Sequence, residues 1–173
     1  YALYLNSSEY ACFGFSDGSN SPSVCGSTTL NDGNWHHIAG MRVISSDVLR
    51  LYVDGLYITK GEDSTTTTSA NDDTVTFGNS GTSYTANDLT GLVDDIRIYN
   101  YARVSGEIVS DYNAGHPAPG SPVGSAVAHW MLDEGYGTTA NDSGTGNNNL
   151  TLSTASWTNS GKFGKAFTGA TNY

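Results

Sequence analysis

Apolar and polar positions alternate in short runs that are separated by turn residues. The clearest case is residues 48–59, VLRLYVDGLYIT, where two alternating runs flank Asp54-Gly55. An Asp-Gly dipeptide between such runs is typical of a two-residue type I′ β-hairpin. Folding about this turn predicts two apolar cross-strand pairs on one face and an aromatic pair on the other: Val53 with Leu56, Leu51 with Ile58, and Tyr52 with Tyr57.

The remaining runs predict an antiparallel all-β fold. Strands are predicted at residues 1–5, 10–15, 23–30, 34–44, 91–101, 127–132, 150–152 and 162–168. The only predicted helix is Ser105–Asn113, with Ser105 as its N-cap. Many strands, one short helix and no βαβ rhythm favour an antiparallel β-sandwich.

The two cysteines flank a predicted turn at residues 17–20. Cys12 and Cys25 are equidistant from its centre, so an antiparallel pair of strands would place them opposite each other. Directly opposed Cβ atoms approach about as closely as a disulfide requires. Two free thiols are the alternative; we expect a disulfide and an oxidising compartment.

Composition excludes some classes of function. The formal net charge is −10, a surface that repels phosphate backbones and argues against nucleic-acid binding. The same charge attracts cations, calcium among them. No apolar run approaches the length of a membrane span.

Residues 116–126 are rich in proline, glycine, serine and alanine and are predicted to form an inter-domain linker. This divides the chain into residues 1–115 and residues 127–173.

Three motifs in the first part resemble a known family. Residues 31–39 (NDGNWHHIA), 49–55 (LRLYVDG) and 91–102 (GLVDDIRIYNYA) are similar, in this order, to the later strands of laminin-G-like jelly rolls. These belong to the concanavalin A-like lectin/glucanase superfamily. In the second part, residues 129–144 and 160–167 resemble the opening strands of the same family. The resemblance implies a jelly-roll β-sandwich in which the end of one unit precedes the start of another.

Neither half contains the central strands of such a domain, and a sandwich that lacks them exposes unpaired edges. We therefore expect completion by a neighbouring segment or chain. Three explanations remain open. The chain is a segment of a tandem array, a fibre subunit whose head completes the tail of the next by strand addition, or a circular permutant.

The resemblance also implies a metal site. Asp94 is predicted to lie on the same strand face as Leu92 and Ile96, and a carboxylate that faces a core needs a metal, an arginine or backbone N–H groups. In similar domains the aspartate of this motif holds a structural calcium with oxygens near the first strand. Here these would come from Asp133 or Glu134 and from Asp142. The alternative is that Asp94 accepts backbone hydrogen bonds and that the others are solvated turn residues.

Three tyrosines are candidates for stacking on a sugar: Tyr52, Tyr57 and Tyr99. Tyrosines on the outer face of a sheet are also common without a ligand. His36 and His37 are adjacent on a predicted strand, so they face opposite sides and are interpreted as hydrogen-bonded structural histidines rather than as zinc ligands.

We do not expect an enzyme. Glucanases of this superfamily need alternating Glu and Asp side chains along one strand, and the four glutamates here are isolated in sequence. The expected function is an extracellular or cell-surface structural module that joins neighbouring copies or repeats. The alternative is a calcium-supported, carbohydrate-binding module of an adhesin or of a polysaccharide-degrading enzyme, with glycans as partners.

Overall fold

A computed structural model describes residues 1–66, 90–113, 126–152 and 156–168. The chain divides into two compact units. The first consists of Tyr1–Thr74 and Ala102–Ala114, and the second of Val75–Tyr101 and Gly115–Tyr173. Among the described residues, no helix is both long and apolar enough to cross a membrane.

The first unit contains two three-stranded antiparallel sheets. One has the order β1-β2-β3, with β1 at Ala2–Leu5, β2 at Tyr10–Gly14 and β3 at Ser23–Thr29. The other has the order β4-β5-β6, with β4 at Ile38–Val43, β5 at Val48–Val53 and β6 at Leu56–Glu62. A 3₁₀ turn at Ile44–Ser46 joins β4 to β5.

The two sheets of this unit enclose a hydrophobic core. Phe13 and Phe15 of the first sheet pack with Leu49 and Leu51 of the second, and both leucines are fully buried. The opposite face of the second sheet contacts helix α1 (Ser105–Asn113), where Met41 and Tyr52 pack with Ile108. The sheet β4-β5-β6 is therefore buried on both faces at these positions.

The predicted hairpin about Asp54-Gly55 is confirmed, with a correction to its register. Both turn residues have positive φ, +51° and +76°, as a type I′ turn requires. Val53 opposes Leu56 and Tyr52 opposes Tyr57, as predicted. Leu51, however, opposes Thr59 rather than Ile58, because a β-bulge places one extra residue in β6.

The second unit contains shorter strands: β7 (Leu92–Val93), β8 (Ile96–Tyr99), β9 (Ala126–Trp130), β10 (Thr139–Ala140), β11 (Leu150–Thr151), β12 (Ser156–Gly161) and β13 (Gly164–Thr168). They pair as β8-β9, β10-β11 and β12-β13-β7, all antiparallel. Its core is built on Trp130, Leu132 and Phe167, with Val93 and Ile96 packed against them.

The prediction of one continuous strand at residues 91–101 is wrong, because the segment forms two strands. The chain breaks it into β7 and β8, because Asp95 adopts a left-handed conformation with φ +52°. The break lets β7 pair with β13 while β8 pairs with β9. It also changes the predicted face, since Val93 and Ile96 pack against the core while Ile98 is 38% exposed.

The helix is confirmed at Ser105–Asn113, but Ser105 is its first residue rather than its cap. Glu107 accepts the backbone N–H of Val104, as in one half of a capping box. Of the predicted linker, residues 116–125 lie outside the described residues, and Ala126 begins β9. The strands β7 and β8, which precede residue 115, fall in the second unit.

Candidate functional site

The pairing of β8 with β9 joins two segments that resemble different ends of a domain. Ile96 opposes Trp130, Arg97 opposes His129 and Ile98 opposes Ala128. A second contact joins the same two segments, because Val93 of β7 opposes Phe167 of β13. We call the β8-β9 pair the joint.

Buried polar side chains cross the joint. The Arg97 guanidinium donates to Asp95 through Nη2 at 2.7 Å and through Nε at 3.1 Å. Nε2 of His129 lies 2.6 Å from Oδ1 of Asp95, a distance that places a proton between the two atoms. Nε of Arg97 is 3.4 Å from the same ring nitrogen, so the shorter contact identifies Asp95 as the partner of His129. We call Asp95, Arg97 and His129 the joint cluster.

The joint cluster was not among the predicted site residues. Asp95 and His129 entered the predictions only as members of the motifs at residues 91–102 and 129–144. The available signal was Arg97, a charged residue between two isoleucines on a predicted strand. An arginine at such a position needs an acidic partner when it is buried.

The four predicted calcium ligands all lie in the second unit, where backbone N–H groups already engage them. Asp94 accepts the N–H of Phe163 at 2.8 Å, and Asp133 accepts the N–H of Lys165 at 2.7 Å. These two carboxylates therefore converge on the turn between β12 and β13.

Asp142 organises the loop that follows β10. Its carboxylate accepts the N–H groups of His129, Gly144 and Asn148 at 2.7–2.8 Å. Burial alone would raise the pKa of Asp142, but these hydrogen bonds outweigh it and hold the pKa below its usual value. Asp142 is therefore an anion that caps backbone donors.

Glu134 accepts both the backbone and the side-chain N–H of Asn141 through Oε1. Its Oε2 is buried without a hydrogen-bond partner among the described residues. Within those residues, no group of three or more His, Cys, Asp or Glu side chains is placed to hold a metal ion. Calcium takes six to eight oxygens, and the calcium site stays a prediction from the resemblance.

The cysteine prediction is confirmed in the first unit. Cys12 of β2 and Cys25 of β3 are directly opposed and form a disulfide. Asp17 accepts backbone N–H groups of the intervening turn, from Asn20 and Ser19, and that of Thr66. The hydrogen bonds from Asn20, Thr66 and Ser19 lower the pKa of Asp17 to about 2.

The three predicted sugar-stacking tyrosines have different environments. Tyr52 is 1% exposed, and its hydroxyl lies 3.2 Å from that of Ser105 on α1. Its ring therefore offers no face to a sugar. Tyr57 is 51% exposed in the same unit, whereas Tyr99 belongs to the second unit and packs edge-on against Tyr101.

His36 is hydrogen-bonded, as expected of a structural histidine. Its Nδ1 lies 2.9 Å from Asp54, and its Nε2 lies 3.1 Å from Asp32. Two carboxylates can be satisfied at once only if both ring nitrogens carry protons. The hydrogen bond to Asp54, with a smaller one to Asp32, raises the pKa of His36 against the opposing effect of burial.

Comparison with known proteins identifies the family. Residues 1–109 match the laminin-G-like sequence family described as "Concanavalin A-like lectin/glucanases superfamily". The chain belongs to this superfamily. In the described part of the chain, the antiparallel sheets and the one short α-helix agree with its jelly-roll β-sandwich, as the laminin-G-like motifs predicted.

Among solved structures, the laminin-G-like chain is similar to an S-layer domain-containing protein from Clostridium thermocellum, in a crystal structure of residues 221–444. The identity is 21% and the TM-score is 0.36. The match covers 60% of this chain and about half, 52%, of that one. No curated protein matches the chain.

Proposed function

We propose that this chain is an extracellular structural module of a tandem array or filament, in which strand complementation joins successive units. The observation that carries the proposal is the antiparallel pairing of β8 with β9. β8 lies within the family match at residues 1–109, and β9 lies beyond it. In this proposal the pair joins the last strand of one laminin-G-like repeat to the first strand of the following repeat; both strands lie in the second compact unit of this chain.

Edge protection is the physical reason for such a joint. An unpaired strand presents a row of backbone donors and acceptors that attracts other chains, and proteins cover or pair such edges. β7 and β8 both gain antiparallel partners from the segment after residue 125. The same pairing between separate chains would be head-to-tail, which produces filaments when it does not close into a ring.

Other features support an extracellular location and a structural role. The Cys12–Cys25 disulfide fits an oxidising compartment. We assign no catalytic role to the chain. Carbohydrate binding has less support than the structural role, because Tyr52 is buried, Tyr99 is half-buried, and the exposed Tyr57 lies in a different unit from Tyr99.

Cysteine cross-linking tests the joint between chains. One chain carries Ile98→Cys and the other carries Ala128→Cys, at positions that oppose each other in the joint. Both natural cysteines are in the disulfide, so the new thiols are the only free ones. The two chains are unfolded without reductant, refolded together at increasing concentration, oxidised, and mapped by mass spectrometry.

Strand complementation predicts covalent dimers linked through residues 98 and 128 that increase with concentration. The matched control replaces Ala128→Cys with Val127→Cys, the bulge residue of β9, which no residue of β8 directly opposes. We expect the 98–128 dimer to exceed the 98–127 dimer about ten-fold. Equal yields of the two dimers would refute the proposal, and the absence of dimers at every concentration would refute the filament.

A further inference from the structure

The joint cluster connects two strands through buried charge. The side chains of Asp95, Arg97 and His129 are 12%, 7% and 5% exposed. Asp95 directly precedes β8, which contains Arg97 and which we call the end strand; His129 belongs to β9, which we call the start strand. A carboxylate and a guanidinium this far from water are stable only while each keeps its partners. Asp95 and Arg97 offset each other's charge, and the strand that pairs with β8 adds the histidine hydrogen bond to Asp95.

Apolar and polar contacts both depend on the register of the joint. Trp130 opposes Ile96 in the core, and a bulge at Val127 places Ala128 opposite Ile98 and Ala126 opposite Tyr99. A slip of two residues would move Trp130 away from Ile96. The same slip would move His129 away from Asp95.

The other polar contacts near the joint do not recognise a particular strand. The Trp130 indole donates to the carbonyl of Asn148, which belongs to the same segment as β9. Asp94 accepts the N–H of Phe163, and any residue other than proline offers that group. Among the described residues, the joint cluster makes a side-chain hydrogen bond from β9 to the segment that contains β8, between His129 and Asp95.

We infer that Asp95 and Arg97 form a recognition element by which the end strand of one unit selects the start strand of the next. The strand they select carries a histidine opposite Arg97, as in residues 126–130 of a second copy of this chain. The inference rests on the proposed strand complementation and adds to it a rule for choosing partner and register.

A competition between start strands tests the selection. The acceptor chain carries Ile98→Cys, and two donor chains carry Ala128→Cys, one with His129 and one with His129→Gln. All three are refolded together, and mass spectrometry counts the two cross-linked products. We expect the His129 donor to be favoured about ten-fold, because the glutamine donor lacks the imidazole that makes the buried 2.6 Å hydrogen bond to Oδ1 of Asp95. Equal capture of the two donors would overturn the inference.

The matched acceptor carries Asp95→Asn and Arg97→Met in addition to Ile98→Cys. Asparagine tolerates the left-handed backbone at position 95, and removing both charges together avoids leaving one of them unpaired. With this acceptor the preference should fall below about two-fold. If the preference is unchanged, the selection does not come from the joint cluster.

A register test within one chain separates failure of the cluster from failure of strand exchange. Chains that carry Ile98→Cys with either Ala128→Cys or Ala126→Cys report the native register and a two-residue slip. With the joint cluster intact, the disulfide between residues 98 and 128 should form in much higher yield than the disulfide between residues 98 and 126. In the chain with Asp95→Asn, Arg97→Met and His129→Gln, the yield of the 98–126 disulfide relative to the 98–128 disulfide should rise about ten-fold. Arg50→Met, on β5, is the control and should leave the ratio unchanged. An unchanged ratio in the cluster variant would overturn the inference even where chains do exchange strands.

Discussion

Among the described ion pairs of the first unit, the pair between Arg42 and Asp63 is the most deeply buried. Nε of Arg42 donates to Oδ2 of Asp63 at 2.6 Å, and the side chains are 7% and 1% exposed. Nη2 of Arg42 donates to Thr65, and the guanidinium lies 3.9 Å from the ring centre of Phe15. Each charge therefore depends on the other for its compensation.

Removing one partner should cost much more than removing a surface charge. Arg42→Met leaves a buried carboxylate, and Asp63→Asn leaves a buried guanidinium. Each single change should lower the free energy of unfolding by about 3 kcal/mol. The double variant should cost about 3 kcal/mol rather than about 6 kcal/mol, because neither charge remains, so the coupling energy is about 3 kcal/mol.

Acid provides a second signature of the same pair. Burial acts to raise the pKa of Asp63, but hydrogen bonds from Thr65 and Arg42 outweigh it and hold the pKa below its ordinary value of 3.8. The stabilisation is therefore complete above about pH 4 and is lost as the pH falls through the pKa of the folded state. The difference in stability between the natural chain and Arg42→Met should shrink over that range.

Urea unfolding measures these values, followed by circular dichroism and tryptophan fluorescence and fitted with two transitions because the chain has two compact units. Arg50→Met, at a part-exposed position on β5, is the matched control and should cost less than about 0.5 kcal/mol. Single losses below about 1 kcal/mol that add in the double variant would refute the reasoning.

Three further predictions concern pH, backbone geometry and metal. Because the pKa of His36 is raised in the folded state, protonated His36 stabilises the fold by about 0.5 kcal/mol below about pH 6.5, and this stabilisation is lost as the pH rises through the folded pKa. His36→Gln should flatten the dependence of the free energy of unfolding on pH in this range, and an unchanged dependence would contradict the prediction. Gly164→Ala should lower the free energy of unfolding by about 1 kcal/mol or more beyond the effect of Gly137→Ala. Both glycines have positive φ, but a Cβ at residue 164 would lie 2.6 Å from Asp133, whereas a Cβ at residue 137 would meet no atom within 4 Å. Equal losses of stability in the two variants would refute the steric argument. EDTA should leave the melting temperature within about 1 °C, because backbone N–H groups engage the predicted calcium carboxylates; a larger fall that calcium restores would support the sequence-based metal site.

The order of turn residues and apolar residues along the chain predicted the elements that depend on neighbours close in sequence. The Asp54-Gly55 hairpin and the Cys12–Cys25 pair depend on turn chemistry and cross-strand distance, and both were visible in the sequence. The strand β12, Ser156–Gly161, was missed, because its sequence SWTNSG has neither apolar alternation nor strong strand formers.

Features that depend on tertiary contacts could not be derived in this way. The break at Asp95 was invisible, since a positive φ at a residue other than glycine is set by what its side chain binds. Tyr52 follows the alternation that placed it on an outer face, but α1 covers that face. The helix was predicted correctly, whereas its docking position was not.

The choice between a tandem array and a filament follows from tethering. β8 and β9 belong to one chain and are separated only by residues 100–125. A connection of this order gives the tethered strand an effective concentration of about millimolar, so pairing within the chain prevails over pairing between chains at micromolar protein. Filaments from separate chains would then require concentrations near that value, or a competing start strand bearing the same histidine. A covalently continuous array meets no such limit, because each end strand is already followed by its partner, and the joint cluster would fix the register of each successive joint.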